Sequence, residues 1–124
     1  MSETPVLAPA RPAELASIRD YHAHVYYTDA ATRAIAAELR EALGRRFQCV
    51  LGRWHDKPVG PHPIPMYQVA FPVAEFPRLV PWLALNHRGL SVLIHPETGD
   101  DPLDHTEHAL WLGATIPLDI DKLR

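Results

Sequence analysis

Tyr21-His22-Ala23-His24-Val25-Tyr26-Tyr27 decides how this chain is read. It alternates, and it is rich in β-formers, so it predicts a strand within Ile18 to Tyr27. Side chains alternate across a strand. Ala23, Val25 and Tyr27 therefore share one face, and His22, His24 and Tyr26 share the other. The first set suits a core. The second puts two imidazoles, with Cβ atoms roughly 6–7 Å apart, on a face that need not be buried.

The segments that follow fit around this strand. Thr28 or Asp29 is a natural cap for a helix running to about Leu43, and Gly44 is its expected stop. Ile35, Leu39, Ala42 and Leu43 give that helix an apolar stripe. Phe47 to Arg53 predicts a second strand, and the proline-rich stretch from Asp56 to Pro65 a loop. Met66 to Val73 predicts a third strand. A second helix lies between Glu75 and Arg88, with Pro77 in its first turn, Pro81 bending or starting it and Gly89 ending it. Leu90 to His95 predicts a fourth strand, with Val92 and Ile94 facing the core. His105 to Leu112 is a short helix or an extra strand.

The order β-α-β-β-α-β is that of a ferredoxin-like α+β fold: an antiparallel four-stranded sheet with two helices on one face. The first strand should lie centrally, beside the third and fourth. Residues 1–17, with three prolines, read as a flexible arm, and 18–124 as a single domain.

Composition excludes several classes. With 12 Lys and Arg against 15 Asp and Glu, and no basic patch, a nucleic-acid partner is not expected. No apolar run approaches the roughly 20 residues of a bilayer span, and Met1 to Pro9 does not read as a signal peptide. The one cysteine, Cys49, can form no internal disulfide, which suits a reduced cytoplasm.

Eight histidines carry the functional reading. His22 and His24 point the same way. His95 shares the open face of a strand expected alongside, so His22, His24 and His95 are the expected metal ligands. His105 and His108 are three apart, as ligands, ligand supports or an acid/base pair. His55 and His62 lie in the proline-rich loop, a natural lid. His87 suits a helix C-terminus.

Several strings resemble one known family. These are Tyr21-His22-Ala23-His24-Val25-Tyr26, then Arg53-Trp54-His55 with Pro58 and Gly60-Pro61-His62-Pro63. Asn86 to Leu93 followed by His95-Pro96, and Asp104-His105-Thr106 with His108-Ala109 and Trp111-Leu112-Gly113, continue the likeness. Together they resemble the DOPA 4,5-dioxygenase family of extradiol enzymes. The resemblance implies ring opening of a catechol such as L-DOPA by O2 at non-haem Fe(II), in a ferredoxin-like fold and as a homodimer. On that reading His108 or His55 moves the catechol proton, and Arg53 or Arg88 pairs with a substrate carboxylate. Tyr26 and His62 line the pocket. Zn or Ni could take the place of iron in a purified sample. The alternatives are a ferredoxin-like module that binds metal or a small aromatic without turnover, and a dimerisation domain whose open face is an interface.

Overall fold

The computed structural model describes residues 12–124; of the expected arm, 1–11 lie outside the described residues, and Leu15–Ser17 forms a single 3-10 turn. The chain folds as β1 (Asp20–Tyr26), α1 (Ala30–Arg46), β2 (Val50–Leu51), β3 (Met66–Phe71), α2 (Phe76–Asn86), β4 (Val92–Glu97), α3 (Asp101–Asp104) and β5 (Leu110–Leu112). All strands pair antiparallel in the order β2-β3-β1-β4-β5. β1 is central between β3 and β4, as the β-α-β-β-α-β order predicts.

The sheet has five strands, not the expected four. Val92, Leu93 and Ile94 take Leu112, Trp111 and Leu110 as partners, which covers the β4 edge. The sequence left this segment open because three residues carry too little period to separate a strand from a turn. β2 is shorter than expected, two residues, and its register to β3 slips by one before His55 meets Met66. That slip turns the chain from the sheet into the proline-rich loop.

α1 runs past Gly44 to Arg46. Gly44 is in fact an interior residue whose missing Cβ makes room for Leu51: a Cβ there would stand 3.1 Å from Leu51 Cδ1. Asp29, not Thr28, is the cap. It accepts from the Thr32 backbone N–H, and Thr32 reciprocates to the Asp29 N–H. α2 keeps Pro81 inside it. β4 extends through Pro96, whose ring donates no ladder bond.

The two long helices cover one face. Ala23, Val25 and Tyr27 of β1 meet Tyr67, Val69, Phe71, Val92 and Ile94, with Leu39 and Leu43 of α1 and Leu79 and Leu83 of α2 above them. The other face is not open to water throughout. Tyr26, Met66 and Leu93 form a second, smaller core there, covered by Val59, Ile64, Trp111, Ile116 and Leu118. The proline loop and the C-terminal segment thus roof half of this face and leave the histidines beside the roof. No helix among the described residues is long and apolar enough to cross a membrane.

Candidate metal centre

Register sets the first two imidazoles. His22 stands opposite His95, and His24 opposite Leu93, so the even residues of β1 and odd residues of β4 share the roofed face. His24 Nε2 and His95 Nε2 lie 3.1 Å apart. Two nitrogens each about 2.1 Å from one ion, at right angles, would be about 3.0 Å apart.

The loops bring in two more. His62, held in a Val59–His62 bridge, packs tilted with its ring centroid 4.2 Å from that of His24. His105, just after α3, lies 4.0 Å from His95, centroid to centroid. One ring nitrogen each from His24, His62 and His105 falls within 4.8 Å of the others, and the same holds for His22, His24 and His95. His24 belongs to both sets.

Hydrogen bonds fix which nitrogen is available. His105 Nδ1 donates to the Asp101 carbonyl at 2.8 Å, and His95 Nδ1 to the Pro96 carbonyl at 2.9 Å. A carbonyl only accepts, so both Nε2 atoms carry lone pairs. His62 Nδ1 lies 2.7 Å from the Tyr26 hydroxyl. His24 Nδ1 has only the weak acceptor Met66 Sδ, at 3.5 Å. Outward Nδ1 partners with Nε2 left free is the usual dress of metal-binding imidazoles. These donors fit a borderline divalent cation.

Electrostatics agree. Burial, and then the neighbouring His62, His95, His105 and His22, hold the His24 pKa well below its ordinary value. Burial, then His105 and His55, push His62 down to about 4. Burial pushes His95 down to about 4 as well, against the opposing Pro96 hydrogen bond. All three rings are held neutral, the form that binds metal.

A pH prediction follows for the metal-free protein. Unfolded histidine takes up its proton near pH 6.5, whereas folded His62 and His95 wait until about 4. Between these values the unfolded chain binds more protons, so stability falls as pH drops through that window. Each imidazole contributes up to about 3 kcal/mol of loss by pH 4. Urea melts of metal-free protein at pH 7 and pH 4.5 measure it; equal midpoints would refute it.

The other expected site residues are placed as follows. His55 is the bridge partner of Met66, on the histidine face, close enough to act on His62. Arg53 is exposed and borders the same loop. Tyr26 is buried with its ring stacked on Trp111. His22 sits at the edge, with Nε2 3.7 Å from Asp20 and Nδ1 3.7 Å from Glu97. Arg88 lies on the helix side, paired to Glu38 at 2.6 Å. His108 donates to buried Asp104 at 2.9 Å and lines a cleft with Tyr21, Phe76 and Pro96, across the sheet from the cluster. The structure does not bring Arg88 or His108 to the histidines.

His62, expected to line the pocket, and His105, expected as a ligand, a support or an acid/base residue, form a second convergent set with His24 beside the expected His22, His24 and His95. The His105 ring is oriented by the Asp101 carbonyl, and the turn that carries it is anchored by the preceding residue, Asp104. Burial alone would raise that carboxyl, but bonds from the Thr98 backbone N–H, from His108 and from the Thr98 hydroxyl hold it below the usual carboxylate range.

Fold and site together define an α+β protein whose histidine cluster fits a metal ion. The chain belongs to the Dopa 4,5-dioxygenase family, whose profile matches residues 21–122. The DOPA 4,5-dioxygenase of Amanita muscaria is 33% identical over 114 residues, covering 86% of this chain and 50% of that protein. A Botryotinia fuckeliana protein, described as an uncharacterised 21.2 kDa protein, is 33% identical over 85% of this chain and 62% of its own length. The chain thus spans only part of these curated relatives. The crystal structure of a candidate dioxygenase from Nostoc punctiforme superposes with a TM-score of 0.89 at 55% identity, covering 91% of this chain and 97% of that one.

Proposed function

We propose that this protein is an extradiol dioxygenase that opens the ring of a catechol such as L-DOPA with O2, using Fe(II) held by histidines. The observation that carries this reading is the convergence of His24, His62, His95 and His105 with their Nδ1 atoms engaged outward or poorly partnered. His24, His62 and His105 would hold the ion, with His95 Nε2 beside them. The chemistry such an ion supplies is a shared coordination sphere through which electrons pass from a catechol to O2.

The chain's own residues do the rest. Tyr26 and the carbonyls of Pro96 and Asp101 keep the imidazoles aimed inward. The roof formed by Val59, Ile64, Trp111, Ile116 and Leu118 keeps water from one side of the site. His55, at the loop edge of the same face, would take the catechol proton and return it. Arg53 would pair with a substrate carboxylate. Assembly as a homodimer in the reducing cytoplasm belongs to the same reading, and Cys49 is a free thiol.

The test is anaerobic loading with Fe(II), then L-DOPA or another catechol, then air. Growth of the yellow semialdehyde absorbance is expected. Metal retained without colour from any of several catechols would refute the enzymatic reading. Tyr26→Phe should lower metal affinity about 10–100-fold, because the hydroxyl orients His62. Competition with a chromophoric chelator measures this.

A further inference from the structure

We propose that the edge of the histidine face holds a second divalent cation, bound by Asp20, His22 and Glu97, apart from the ion assigned to His24, His62 and His105. The ladder itself builds the site. Asp20 stands directly opposite Glu97, and His22 directly opposite His95, so the four side chains form a square on one face. Two like charges directly opposite across antiparallel strands repel. Among the described residues no Lys or Arg pairs with either carboxylate; their ion-pair partners are histidines alone, and Glu97 also has the carboxylates of Asp101 and Asp104 within 4.8 Å. One donor atom from each of Asp20, His22 and Glu97 lies within 4.8 Å of the others.

Donor positions separate this site from its neighbour. His22 Nε2 lies 3.7 Å from Asp20 Oδ2, and its Nδ1 3.7 Å from Glu97 Oε2. An imidazole offers one nitrogen to an ion, and donors about 2.1 Å from a tetrahedral ion stand about 3.4 Å apart, so one carboxylate is already near that distance and the other closes in from within 4.8 Å. His95 is the wall between the two sites. Its Nε2 faces His24 at 3.1 Å, and its Nδ1 lies 3.4 Å from Glu97. One imidazole with two carboxylates selects a borderline cation such as Zn(II), Mn(II) or Fe(II) over a purely oxygen-seeking one. The partly exposed position of all three residues gives the ion an entry path.

Equilibrium dialysis of the full chain against Zn(II), with metal counted per chain, tests this. Wild type should hold two ions. Asp20→Asn with Glu97→Gln should hold one, and His62→Ala should hold one, each variant confirmed as folded by circular dichroism. Two equal ions in wild type and in the double variant would overturn the proposal. So would a single ion in wild type, whichever variant loses it. If that single ion is lost in His62→Ala and kept in the double variant, the histidine centre proposed above still stands.

Discussion

His24→Ala should cost the ion of the histidine centre, and turnover with it, while leaving the fold intact. His24 is the one residue common to both histidine sets. It is buried, its Nε2 lies 3.1 Å from that of His95, and its ring packs on His62. Structural metal sites bind with about 10–16 kcal/mol, so one of three ligands carries about 3–5 kcal/mol, or roughly two to four decades of affinity. The helix-side core does not include His24, so circular dichroism should stay unchanged. A variant that binds as much metal as wild type would place the ion elsewhere. Restoration of colour by added imidazole would support a direct ligand role for this ring.

Asp104→Ala should be the most damaging change away from the cluster. The carboxylate is fully buried and accepts from the Thr98 N–H at 2.8 Å, the Thr98 hydroxyl at 2.7 Å and His108 Nδ1 at 2.9 Å. Hydrogen bonds to a charged group contribute about 1.5–3 kcal/mol each, and their donors would be left unsatisfied in part. A loss of about 3 kcal/mol is expected, read as a fall in the urea midpoint at unchanged slope. The same change should weaken metal binding, because Asp104 anchors the turn that carries His105. Asp104→Asn, which keeps an acceptor for Thr98, should recover part of the stability. A loss below about 1 kcal/mol would show that the turn is held by other contacts.

The two variants separate what the ligands do from what positions them. His24→Ala leaves an intact scaffold without the ion of the histidine centre. Asp104→Ala loosens the scaffold at one corner and disturbs the ion through it. The pH dependence of the metal-free protein is a third view of the same arrangement, since it reports the cost of charging rings the fold keeps neutral.

The sequence by itself determined the sheet face. A period of two in Tyr21 to Tyr27 puts His22, His24 and Tyr26 opposite the core residues, and the same period in β4 gives His95 its side. The helix order then makes β1 central, because split βαβ connections leave it no other place. Those inferences rest on local alternation, which any strand of the right composition displays. Tertiary structure alone decided the rest of the centre. His62 and His105 lie in segments without period, and each reaches His24 only through contacts more than 35 residues away in the chain. It also put Arg88 and His108 on the helix side, although their residue types suit a site equally well. Loop side chains are aimed by hydrogen bonds: that of Asp101 to His105 is local to one turn, whereas that of Tyr26 to His62 exists only once the proline loop has folded over the sheet.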